Sequence, residues 1–127
     1  MTNKQLKAIF DHEVFQKDWK SKLRDVAIDE YGNELTVLKN HRGVITTYED
    51  GLYFASKLTF IPSVEQLRKM SGPEMDWRIF YFWCQQKWED EYFINDNDID
   101  VLLAAAMVVM AQRGFKWQGY EKGWVKK

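Results

Sequence analysis

With 127 residues, 18 basic and 19 acidic side chains and a net charge of −1, the chain is sized for one domain and has no overall field to steer nucleic acid or anionic lipid. The single cysteine, Cys84, excludes an intrachain disulfide, and with only two histidines it cannot complete a four-ligand zinc site without carboxylates. Two prolines and seven glycines exclude collagen-like and proline-rich disordered chains.

Surface scaling lets a chain of this length bury roughly two-thirds of its unfolded surface, so a core forms without disulfide or metal staples. Met1–Phe10 is polar and amphipathic rather than a secretory h-region. The longest apolar run, Val101–Ala111, is about half of the ~20 residues that cross a bilayer. The expectation is one soluble, cytoplasmic domain over 1–127 without membrane contact. Eight Phe, six Tyr and six Trp are more than a core of this size readily absorbs, because every buried indole needs a partner for its N–H. Some aromatic surface should be exposed.

In chain order, the spacing of Leu6, Ile9, Phe10 and Val14 predicts a helix over about 2–17, capped by Thr2 or Asn3. From Asp25 to Ile61 the period changes to two. Val26 and Ile28 alternate with Asp25, Ala27 and Asp29, Leu35 and Val37 alternate with Glu34 and Thr36, and Val44–Tyr48 and Leu52–Ile61 are rich in β-branched and aromatic side chains. Turn chemistry at Tyr31-Gly32-Asn33, Asn40-His41-Arg42-Gly43 and Glu49-Asp50-Gly51 separates the runs, which predicts an antiparallel meander of three or four strands. Pro62 ends the last strand. Ser63 with Gln66 three residues on reads as a capping box for a short helix that Ser71-Gly72-Pro73 terminates.

A longer helix is expected over about 73–92, and a third over about 98–113, apolar nearly all round and closed by Gly114. Phe115–Lys127, with glycines at 119 and 123, reads as a small hairpin. The fold class is α+β: an N-terminal helix, the meander, then two or three helices packed on one sheet face and a short C-terminal hairpin.

No arrangement of residues points firmly to chemistry. A calcium loop starting at Asp96 would need Gly at its sixth position and Glu at its twelfth, where the chain has Val101 and Met107; Asn95–Asp100 reads as a helix cap. His12 sits between Asp11 and Glu13, but neighbours in a helix face different ways, and His41 falls in a predicted turn. Cys84, inside an aromatic run, reads as a buried thiol. No catalytic, cofactor-binding or metal-binding residue is assigned. Carboxylates such as Glu89, Asp90 and Glu91 leave a small carboxylate-based enzyme as a third reading.

Two segments look suited to contact. Arg113, Lys116, Lys122, Lys126 and Lys127 against Glu121 leave residues 113–127 at net +4, interleaved with Phe115, Trp117, Tyr120 and Trp124. Lys116, Trp117, Tyr120, Lys122 and Trp124 are expected to form an exposed hairpin that touches a partner. The competing expectation pairs Trp117 with Trp124 to seal the last helix. Residues 87–100 carry net −5, and Trp88, Glu89, Asp90, Glu91 and Tyr92 form a candidate acidic, aromatic face for a basic protein surface.

The succession Phe60-Ile61-Pro62-Ser63-Val64-Glu65-Gln66-Leu67, a tryptophan-rich segment, Leu102–Met110, and Gly114-Phe115-Lys116-Trp117 with Gly123-Trp124-Val125 resembles small uncharacterised proteins of phages and prophages of Gram-positive bacteria. The resemblance covers about the second half of the chain and carries no catalytic residues over. It implies an accessory protein in the host cytoplasm that binds, and in some cases inhibits, a host or phage protein, including host-defence machinery. The leading expectation is therefore a non-enzymatic protein-interaction module, with a homodimer as the simplest way to cover an apolar patch. The alternative is a single-stranded nucleic-acid-binding accessory protein that uses the basic, aromatic tail.

Overall fold

Thr2 opens the first helix as a capping box: its hydroxyl accepts from the Gln5 N–H, and the Gln5 side chain accepts from the Thr2 N–H. That helix, α1 (Asn3–Phe10), is shorter than the expected 2–17. The backbone leaves helical geometry at Asp11, and His12 starts a second, one-turn helix, α2 (Glu13–Gln16). The His12 Nδ1 accepts from the Val14 N–H at 3.1 Å, so the imidazole serves as a cap. The computed structural model describes residues 1–17, 19–92 and 100–127, with only the backbone of Glu91 and Tyr92. The chain divides into two compact units, Met1–Pro62 and Ser63–Lys127.

The first unit is a five-stranded antiparallel sheet made of β1 (Val26–Ile28), β2 (Glu34–His41), β3 (Val44–Thr47), β4 (Leu52–Phe54) and β5 (Thr59–Ile61), in the order β4-β3-β2-β1-β5. The first four strands are the expected meander. The fifth departs from it, because the run 52–61 is interrupted by a 3₁₀ turn at Ala55–Lys57. That turn carries the chain from the β3 edge to the far side of β1, where Phe60 pairs with Ala27. Only Ser56 and Lys57 mark the break inside an otherwise mostly apolar and β-branched run, and residues from both halves, Tyr53 and Leu58, pack into the same core. Ala27, Leu35, Val37, Ile45 and Leu58 form that core, with Trp19, Tyr53 and Ala55 packed against it.

The turns explain the register. Between β1 and β2, buried Asp29 accepts from the N–H groups of Tyr31 and Asn33 and from the Asn33 amide, while Gly32 takes φ +87°. Asn3 donates to the Gly32 carbonyl, which docks α1 on this turn. The β2–β3 turn is tighter than the expected four residues. Only Arg42 and Gly43 lie between the strands, both at positive φ, and the Asn40 side chain accepts from the Gly43 N–H. A register shift between Val37 and Lys39 marks an irregularity in β2.

The second unit is helical. α3 (Val64–Ser71) carries the full Ser63/Gln66 capping box. α4 runs Trp77–Tyr92, starting four residues later than expected, because Pro73–Asp76 lie outside the helix and Asp76 accepts from the Arg78 N–H. Arg68 holds the junction: it donates to the Met75 carbonyl at 2.7 Å and lies 4.8 Å over the Trp77 ring. α5 (Val101–Gln112) is capped by Asp100, whose carboxylate accepts from the Leu103 N–H; Asp96 and Asp98 lie outside the described residues. Every residue from Leu103 to Met110 is buried, as an all-apolar helix requires, and α5 contacts α3, α4 and the terminal hairpin. Gly114, at φ +84°, ends it.

Candidate interaction surfaces

The terminal hairpin forms as β6 (Phe115–Trp117) and β7 (Trp124–Lys126), with Trp117 opposite Trp124 and Lys116 opposite Val125. Because strand side chains alternate, this register puts Trp117 and Trp124 on one face and Lys116 on the other. Trp117 is only 4 % exposed, on a strand packed against α5, which corrects the expectation that its indole is available to a partner. The Trp124 ring lies 4.7 Å from it and the Tyr120 ring 5.3 Å, edge-on. Trp124 is half-buried, whereas Tyr120, Lys116 and Lys122 are exposed. The hairpin therefore separates its lysine at 116 from the tryptophans instead of interleaving them on one contact face.

The acidic, aromatic face assembles only in part. Trp88 is buried, while Glu89 and Asp90 are exposed. Glu91 and Tyr92 end α4, and their side chains lie outside the described residues. Trp88 cannot be contact surface because it continues the stripe Phe80–Cys84–Trp88, four residues apart, that α4 buries.

The surface that sequence spacing did not isolate lies on the same helix. Ile79, Phe82 and Trp83 fall at i, i+3 and i+4, on the side opposite Phe80–Cys84–Trp88, and all three are exposed, Ile79 by 50 % and Phe82 by 57 %. Gln86 extends this stripe by one turn, with exposed Glu89 and Asp90 beyond it. Trp77 and Tyr81, stacked at 5.4 Å, lie instead beside the buried stripe, with Trp77 edge-on to Phe80 at 6.2 Å. In the sequence, 79–84 is one apolar block, and a helix winds such a block over both faces. Only the 80/84/88 spacing could have singled out the buried stripe and left 79, 82 and 83 outside.

Reactive groups are quiet. Burial pushes the Cys84 thiol up to about 12, so almost no thiolate exists at neutral pH. Among the described residues, no group of three His, Cys, Asp or Glu side chains is placed to hold a metal ion, and no helix is long and apolar enough to cross a membrane. Comparison with known proteins finds no family model, no curated protein and no solved structure that matches the chain.

Proposed function

We propose that the chain works by binding another protein, with the outer face of α4 as the contact surface. The observation that carries this reading is the exposed Ile79–Phe82–Trp83 stripe, set on a helix whose opposite stripe is anchored in the core. A helix anchored in this way presents aromatic area at low entropy cost, and aromatic residues dominate the energetics of protein contacts. The partner it fits is a protein with an apolar groove that accepts a helix face, basic at the rim where Glu89 and Asp90 emerge.

The test is a photo-crosslinking amino acid placed at Phe82, with a second chain carrying it at Lys122 on the hairpin. A discrete protein adduct from position 82, lost when Ile79 and Trp83 are changed to Ser, is the expected result. Adducts from position 122 alone would move the contact to the hairpin. Retention of an unspecific single-stranded oligonucleotide that falls steeply with salt and is lost in Lys116→Glu/Lys122→Glu would replace the reading with nucleic-acid binding.

A further inference from the structure

The two edges of the sheet are treated differently. At the β5 edge, the outward N–H and C=O of Phe60 are both taken by one side chain: Gln16 Oε1 accepts from the Phe60 N–H and Gln16 Nε2 donates to the Phe60 carbonyl, each at 2.9 Å. The Gln16 amide occupies the place of a neighbouring strand and blocks that edge. Among the described residues, β4 has no such plug. Its ladder to β3 is built through Gly51, Tyr53 and Ala55: Thr47 donates to the Gly51 carbonyl, Ala55 donates to the Gly43 carbonyl, and Tyr53 stands opposite Ile45 between them. The N–H and C=O groups of Leu52 and Phe54 consequently point away from β3, and among the described residues no strand pairs with that side. The same two residues expose large apolar side chains, Leu52 by 71 % and Phe54 by 67 %. None of the residues from 51 to 54 is a charge or a proline that would discourage edge pairing.

We infer that β4 pairs antiparallel with β4 of a second copy of this chain, about a two-fold axis through Tyr53, joining two five-stranded sheets into one. The register follows from the open groups. Placing Leu52 opposite the partner's Phe54 makes both pairs hydrogen-bonded ones and satisfies all four outward groups of each strand. Moving the axis to Leu52 would set Phe54 against the partner's Asp50, in the turn. Moving it to Phe54 would set Leu52 against the partner's Ser56, in the 3₁₀ turn. Only the axis at Tyr53 keeps both open residues within strand geometry. It also brings exposed Asp50, before one strand, towards exposed Lys57 after the other, twice over. Leu52 and Phe54 from both copies then cover one another on the same sheet face. The contact is small, at the transient end of interface sizes, so the dimer should form reversibly as concentration rises. This inference is independent of the α4 surface.

Sedimentation velocity over a concentration series tests it. The intact chain should shift from monomer towards dimer, and Leu52→Lys/Phe54→Lys should remain monomeric with an unchanged melting temperature, because both side chains are exposed. The register is read by disulfide capture in oxidised glutathione. Directly opposed residues in this pairing have Cα atoms about 5.5 Å apart, within the ~4.4–6.8 Å of a disulfide, while the diagonal Leu52–Leu52 pair does not reach. A Leu52→Cys chain mixed with a Phe54→Cys chain should therefore crosslink, and Leu52→Cys alone should not. A strict monomer at high concentration, a dimer that the lysine variant leaves intact, or Leu52→Cys crosslinking to itself would each overturn the inference.

Discussion

Gln16 shows how one side chain can do the work of a strand. Besides the two bonds to Phe60, its Nε2 donates to the Phe10 carbonyl at 2.7 Å, so a single amide joins the end of α1 to the edge of β5. Gln16→Ala should leave three backbone groups without that partner and cost about 1–3 kcal/mol, the usual penalty for orphaning buried polar groups. Gln16→Glu keeps an acceptor for the Phe60 N–H but sets a carboxylate oxygen against the Phe10 and Phe60 carbonyls, and should cost at least as much as Gln16→Ala. Urea unfolding curves measure both; a midpoint for Gln16→Ala equal to that of the parent would show that the edge is held by other means. Nothing in the local sequence marks Gln16, which reads there as one more polar residue on an amphipathic helix.

At the scale of elements, caps and cores separate cleanly in α5. Asp100→Ala removes the side chain that accepts from the Leu103 N–H and should cost ~1 kcal/mol. Leu103→Asp puts a carboxylate where the structure leaves 2 % exposure, and should cost on the order of several kcal/mol and abolish soluble expression. Soluble Leu103→Asp with parental thermal stability would contradict the buried position of α5. The uniform apolarity of Val101–Ala111 makes this helix readable from sequence, and the Ser63/Gln66 capping box does the same for α3, whereas for α1 the sequence offered Thr2 or Asn3 and the structure chose Thr2, with Gln5 closing the box. The break at Asp11–His12 is less readable: apolar spacing continues through Val14, and only the histidine ring, turned back onto the Val14 N–H, starts the new turn.

For the molecule as a whole, two buried titrating groups among the described residues, Asp29 and Cys84, shape stability against pH. Burial alone would raise the Asp29 carboxyl, but the Asn33 N–H, the Asn33 amide, the Tyr31 N–H and the Lys7 charge outweigh it and hold it below its ordinary 3.8. Its contribution is complete above that value and is lost as pH falls through the lower, folded one. Cys84 acts in the opposite direction. Its thiol is raised from 9.0 to about 12, so its contribution is complete below pH 9.0 and is lost as pH rises towards 12. Urea midpoints should therefore decline at both ends of the pH range. The acid decline should flatten in Asp29→Asn and the alkaline decline in Cys84→Ser. An acid limb equally steep in Asp29→Asn would assign that loss to other carboxylates.

The sequence by itself determined the α+β class, the antiparallel meander, the three later elements and the terminal hairpin. Each of these is written locally, in a period of two or 3.6, a cap, or a glycine that permits positive φ. Tertiary structure decided what local periods cannot encode. It split 52–61 into two strands and sent the second to β1, because partner choice is settled by long-range pairing rather than by pattern. It turned Trp117 and Trp88 inward and left Ile79, Phe82 and Trp83 outward, because an aromatic side chain serves core and surface equally well and only its neighbours choose between them. It also filled one sheet edge with Gln16 and left the other open at Leu52 and Phe54, a distinction made by a residue 44 positions away in the chain.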